Sequence, residues 1–401
     1  MRFGQPGPDP FLPWLISDAP LYHAQSINGH FWAIPNTLAA AADQVNPRRF
    51  PIAKPPGTYR IFCIGQSTTE GFPFAPRGGY PEWLGELFKD VLPDRKIEVV
   101  NAGISGSDST RDLAIVKEVL KYRPDLLVLY EGNNEAYHGR IRLFQDRFGS
   151  GLGRLVFWLR NYFPIVRWAG AREAEDPLRV VRETLPLFKR NVEKMIALAR
   201  SRRVPVVLPS QVNWNVFNYP PDPHNQILES LRGRGVLYVD LWRTFDGDRA
   251  CRGTPADCLL DFVHPSLHGQ WLIARALARA LAGRGWISPA ARWRWSNVRS
   301  EAAYRAGLEL TDDFMATAFV REAWAVNGGP YGPCNVPYDI AESEHFKKGG
   351  VVEIVRLYYN WLGPPSLLVK NAVVSYYDKT DPAEARKFEA VLRLGREGKL
   401  N

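Results

Sequence analysis

Five short apolar runs recur between residues 58 and 287: residues 59–64, 97–100, 126–130, 204–208 and 236–241. Each is rich in Val, Ile, Leu or Tyr and too short for a core helix, which is the pattern of strands buried on both faces. Between them the apolar spacing changes to a helical period. Pro81 suits a first helical turn, and Leu84, Leu87, Phe88 and Val91 then share one face. Leu113, Val116 and Leu120 mark a second helix, Phe188, Val192, Ile196 and Ala199 a third, and Ile273, Leu277 and Leu281 a closing one. Strands alternating with helices predict a parallel sheet covered on both sides. Right-handed crossovers leave few topologies, of which the flavodoxin-like order is expected here. The fold class is therefore α/β, a three-layer α/β/α domain on a five-stranded parallel sheet.

The rhythm fails in three places. Residues 1–57 are Pro-rich and end in Lys54-Pro55-Pro56-Gly57, so they read as an irregular lead-in packed on the domain surface. Residues 137–182 interrupt the domain (58–287) with an aromatic insertion that includes Phe157, Trp158, Tyr162 and Phe163. A lid, a membrane-facing patch over 150–170, and short helices packed on the domain all fit it; Trp158 and Trp168 fit core filling or contact with a sugar ring or acyl chain. Residues 288–401 carry helical segments near 301–308, 315–325 and 383–394 and form a helical accessory region.

Composition adds little to this picture. The chain has 401 residues, 45% hydrophobic and 23% charged, enough for a large core. The net charge of +9 comes from scattered Arg, which reads as a solvated basic surface, and no nucleic-acid partner is expected. No apolar stretch reaches the roughly 18 residues of a membrane span, and the start lacks a signal-peptide pattern. The location is cytoplasmic by default, extracytoplasmic if a leader precedes this sequence. Cys63 falls in a predicted strand as a core residue. Cys251 and Cys258 suit a disulfide or two free thiols. They have no paired Cys/His spacing beside them, so no metal and no organic cofactor is expected.

The candidate chemistry lies just after the predicted strands, where ligands bind in parallel α/β sheets. These positions hold Gly65-Gln66-Ser67, Asn101 to Ser107, Glu131 to Glu135, and Asp261 to Pro265. A serine hydroxyl needs a base within hydrogen-bond reach, for which His264 is placed, with Asp261 to fix its tautomer. An oxyanion needs aimed donors, which the amides of Gly106 and Ser67 and the side chain of Asn134 supply. Gln66, Glu135, His138 and Asn213 are expected substrate contacts. Glu131 and Glu135 suit loop-shaping hydrogen bonds better than a second acid/base pair. His264 and His268 are four apart and with Asp261 offer a metal alternative, but a third strong ligand is missing.

In these blocks the chain resembles the SGNH hydrolases, or GDSL-like lipases and esterases. The family's Gly-Asp-Ser appears as Gly65-Gln66-Ser67, its second block as Asn101 to Gly106, its Gly-x-Asn-Asp as Gly132 to Glu135, and its Asp-x-x-His as Asp261 to His264. The likeness spans roughly residues 57–285, and its first block is similar to a bacterial subgroup with a Gly-x-Ser-Thr-Thr core. Gln66 and Glu135 depart from the pattern, each standing where the family has Asp. The resemblance implies hydrolysis of a small-molecule, glycan or lipid ester through an acyl-enzyme. Transfer of the acyl group to a sugar or other alcohol and non-catalytic binding are the rival readings.

Overall fold

The computed structural model describes residues 19–36, 45–135, 139–149, 152, 155, 177–212, 223–253, 258–259, 263–311 and 314. The lead-in is more regular than its Pro content suggests. Strands β1 (Tyr22–Ile27) and β2 (His30–Pro35) form an antiparallel hairpin, and β3 (Phe50–Pro51) pairs with β2. The hairpin turns on Asn28-Gly29, whose φ values of 51° and 77° are the left-handed pair that a two-residue turn requires. It is anchored by the Glu118 carboxylate, which accepts from the backbone N–H groups of Leu21 and Tyr22 at 2.7 and 2.8 Å. Arg60, fully buried, donates to the carbonyls of Pro51 and Tyr122 at 2.8 and 2.9 Å and pairs with Glu98, so it rivets β3 to the main sheet.

The main sheet contains β4 (Thr58–Gly65), followed in the chain by helices α1 (Ser67–Glu70) and α2 (Tyr80–Val91), then β5 (Lys96–Gly103), α3 (Ser109–Val119), β6 (Leu126–Tyr130), α4 (Gly139–Phe148), α5 (Pro177–Ser201), β7 (Val206–Pro209), α6 (Pro223–Ser230), β8 (Val236–Val239), α7 (Leu241–Gly247), α8 (Arg249–Gly253), α9 (Leu267–Arg284) and α10 (Glu301–Gly307). The spatial order is β5-β4-β6-β7-β8, all parallel. This is the 2-1-3-4-5 order of a flavodoxin-like sheet.

Residue alternation along β4 splits the core in two. Ile61 and Cys63 face one way and pack with Trp83, Leu87, Trp271 and Leu277 of α2 and α9. Phe62 and Ile64 face the other way and pack with Val116, Val119, Val192 and Ile196 of α3 and α5. The helix expected near 301–308 is α10, whose buried Tyr304 lies against Trp271 and hydrogen-bonds Asp90 at 2.6 Å. Of the insertion, 139–148 and the first residues of α5 are helical, and Leu152 and Leu155 are exposed. The rest of 137–182, including Trp158 and Trp168, and the segments 315–325 and 383–394 lie outside the described residues. No helix among the described residues is long and apolar enough to cross a membrane.

The register sets the rim. Gly65 pairs with both Gly103 and Tyr130, so β4, β5 and β6 end side by side. Helix α1 then lies directly on the end of β5: a Cβ on Gly103 would sit 2.2 Å from the Glu70 amide nitrogen and 2.6 Å from the Thr69 carbonyl carbon. Backbone cannot yield as a side-chain tip can. Gly103→Ala is therefore expected to lose about 1–3 kcal/mol of stability, measured as a drop in the urea midpoint. A midpoint equal to wild type would contradict the close packing of α1 on β5.

Candidate active site

Ser67 opens α1 immediately after β4 and is 6% exposed. His264, 197 positions later, brings Nε2 to 2.8 Å from the Ser67 Oγ. The loop that carries His264 is held at its base and at its flank. The Ser266 amide donates to the Cys258 carbonyl at 2.9 Å, Leu259 bridges to Pro265, and the Ser266 hydroxyl caps α9 by accepting from the Gly269 amide at 3.2 Å. Thr68 Oγ1 donates to the Val263 carbonyl at 3.4 Å. Gln270 donates to the Thr68 carbonyl at 3.4 Å and accepts from the Tyr80 amide at 2.8 Å, joining α9 to α1 and α2. The Phe72 ring packs against the imidazole, centroids 4.7 Å apart. Sequence reading missed Thr68, Phe72 and Gln270, because contacts across about 200 positions leave no local signal. Asp261, His138 and Asn213 lie outside the described residues.

The second and third blocks come to the same rim. Gly106 takes φ +77°, a left-handed turn. Asn134 Nδ2 donates to the Ser107 carbonyl at 3.0 Å, and an amide nitrogen has a second hydrogen to give. The Ser67 amide stands at the first position of α1, where helical amides have no acceptor within their own helix. Gln66 and Glu135, expected as substrate contacts, have buried side chains instead. Gln66 Oε1 accepts from the Asn134 amide at 3.0 Å, and its Nε2 donates to Glu135 Oε1 at 3.4 Å. Glu135 also accepts from the amide and hydroxyl of Ser109, both at 2.8 Å. Both residues thus shape the loop that presents Asn134.

Beneath this loop lies a group of buried acids. Asp108 caps α3 and pairs with buried Arg142 at 2.6 Å. Burial pushes Asp112 up to about 7, against the lowering effects of neighbouring Glu131 and of the hydrogen bond that the Ser107 hydroxyl donates. Burial, and then the Asp112 charge, raise Glu131 well above the usual carboxylate range. Burial and Asp108 raise Glu135 to about 7.

His268 does not join His264. Its Nδ1 lies 2.6 Å from Glu301 and its Nε2 3.2 Å from Asp248. The Glu301 hydrogen bond is the largest cause holding this imidazole above its ordinary value. Cys251 and Cys258 are joined in a disulfide, resolving the choice that spacing left open, and Cys63 is a buried free thiol.

The sequence model of the GDSL-like Lipase/Acylhydrolase family matches residues 63–272. A comparison with curated protein sequences finds no match. Among solved structures, the acetylxylan esterase Axe2 from Geobacillus stearothermophilus is 22% identical with a TM-score of 0.38, covering 58% of this chain and 97% of that one. An alpha/beta hydrolase enzyme from the metagenome of Lake Arreo, Spain, is 18% identical with a TM-score of 0.39, covering 55% and 94%. The acetyl xylan esterase AlAXEase is 19% identical with a TM-score of 0.38, covering 55% and 99%. At such low TM-scores nothing about the chemistry of this chain follows from these three.

The buried acids set a pH dependence of stability. Glu131 and Asp112 hold protons in the fold at pH values where the unfolded chain has lost them, so their contribution is fully present below about pH 4.5 and is lost as pH rises toward and past 7. Glu131→Gln removes one such proton. The fall in urea midpoint between about pH 5.5 and about pH 8 is expected to be shallower in Glu131→Gln, by at most about 1.4 kcal/mol per pH unit. Equal slopes in the two proteins would contradict a proton held by buried Glu131.

Proposed function

Because this chain belongs to the GDSL-like Lipase/Acylhydrolase family, we propose that it hydrolyses a carboxylic ester through an acyl-enzyme formed on Ser67. The observation that carries this reading is the 2.8 Å approach of His264 Nε2 to Ser67 Oγ at the carboxyl edge of the sheet. A hydroxyl is a weak nucleophile until a base takes its proton as it attacks. His264 takes that proton, Asp261 holds the imidazole in the tautomer that leaves Nε2 free to accept, and His264 then protonates the leaving alcohol. A water deprotonated by the same imidazole cleaves the acyl-enzyme and restores Ser67.

Charge develops on the carbonyl oxygen in both steps. The amides of Ser67 and Gly106 and the second N–H of Asn134 are the donors proposed to meet it. Such donors accelerate because they are already oriented when the charge appears. Asn134 is suited to this by its own restraint, since one N–H is held by the Ser107 carbonyl and its backbone amide by Gln66. The substrate class proposed is a small-molecule, glycan or lipid ester, and the mechanism needs neither metal nor organic cofactor.

The test is a panel of aryl esters of graded acyl length, run beside a fluorophosphonate probe. Ser67→Ala and His264→Ala are each expected to stay folded by circular dichroism and lose about 10⁴-fold or more in kcat. Asn134→Ala is expected to lose about 10²- to 10³-fold in kcat. Turnover retained in Ser67→Ala, or a probe that labels another residue, would end this reading.

A further inference from the structure

Beside the loop that carries His264 stands a second cluster, with no part in the ester chemistry above. The Asp248 carboxylate, the sulfurs of Cys251 and Cys258, and the His268 imidazole place one ligand atom each within 4.8 Å of one another. Four tetrahedral ligands at about 2.0–2.3 Å from a zinc ion lie about 3.3–3.8 Å apart, so no pair here exceeds a zinc shell's spacing by more than about 1 Å, and the bonded sulfurs must move apart. We propose that, with the Cys251–Cys258 disulfide reduced, Asp248, Cys251, Cys258 and His268 form a Zn2+ site.

The arrangement of the imidazole argues for a metal rather than for a bridge alone. A disulfide needs no imidazole beside it. Here Glu301 Oε2 takes Nδ1 of His268 at 2.6 Å, which leaves Nε2 directed to the side of Asp248. A carboxylate behind a ligating histidine is the usual outer partner of zinc-bound imidazole. Glu301 is itself held by Arg305 at 2.6 Å. Three of the four ligands are tied to the chain around them, and Cys251 lies within α8. The Asp248 carboxylate accepts from the Ala250 amide at 2.9 Å, Cys258 is tied to Ser266, and His268 lies in the first turn of α9. The Cα atoms of the two cysteines are 5.4 Å apart, so the sulfurs separate by side-chain rotation without moving the chain. Two thiolates and an imidazole favour zinc over calcium or magnesium, which take oxygen ligands. Two thiolates and one carboxylate give the zinc-loaded site a net charge of about −1, and Arg275, coupled electrostatically to Asp248 and Glu301, offsets it.

The chemistry balances with an external reductant. Two thiol molecules, or one phosphine and water, supply two electrons and two protons, the S–S bond breaks, and two cysteine thiols form. Zinc binding then releases both thiol protons to solvent.

The test uses the full chain, reduced and freed of reductant under nitrogen, in a competition between protein and a chromophoric chelator for Zn2+. Reduced wild type is expected to bind one equivalent. Co2+ in its place is expected to give a thiolate charge-transfer band. Both are expected to vanish in Cys251→Ser/Cys258→Ser and in the oxidised protein. His268→Ala and Glu301→Gln, which keep the cysteines, are each expected to weaken binding by about tenfold or more. Reduced wild type binding no more zinc than the double serine variant or the oxidised protein overturns the site. So does a Co2+ complex without the thiolate band, or undiminished affinity in His268→Ala.

Discussion

The site depends on three parallel strands ending level. β4 pairs with β5 and β6 in a register that sets Gly65 beside both Gly103 and Tyr130. Each strand therefore releases its next residues at the same height, and Ser67, Gly106 and Asn134 emerge from neighbouring strand ends without long loops. A slip of one residue in β5 would invert the faces on which Val100 and Ala102 meet the core, so the buried packing on both sides enforces the register. The bare backbone of Gly103 then lets α1 rest on the sheet edge. Placement of the serine is in this sense a by-product of sheet packing.

The two departures from the family's block residues prove to be one feature. The family has Asp at the positions of Gln66 and Glu135, and in this fold those side chains touch. Two carboxylates buried at that distance could not both ionise without strong repulsion. Gln66 removes one charge and contributes both an acceptor, for the Asn134 amide, and a donor, for Glu135. The longer Glu135 reaches the amide and hydroxyl of Ser109. The pair forms a clamp on the loop that presents Asn134. The raised proton affinity of Glu135 has burial as its largest cause, as it has for Glu131 and Asp112 below.

Much of this was legible from residue order, and the gaps have physical causes. The central strands β6 and β7 are buried throughout, so each left an unbroken apolar run, and the polar residues after β4, β5 and β6 fell at the rim where those strands end level. Asn28-Gly29 was an available turn signal that the Pro-rich composition around it obscured; what makes the hairpin stable is the Glu118 carboxylate, about 96 positions away. Arg60 looks in sequence like a charge out of place in a strand. Only the fold reveals that three carbonyls and Glu98 satisfy it. His268 was equally opaque. Its spacing from His264 suggested a shared role, yet four residues along a helix that begins between them is no guarantee of a common direction, and its partners come from Asp248 and Glu301.

The loop from Cys258 to Ser266 links the two clusters. Its first residue belongs to the sulfur group, its last caps α9, and His264 stands near its end. Helix α9 supplies His268 to one cluster and, through Gln270, braces α1 in the other. Cys258 and Leu259 meet Ser266 and Pro265 at the base of this loop, so the two clusters share one anchored stretch of chain.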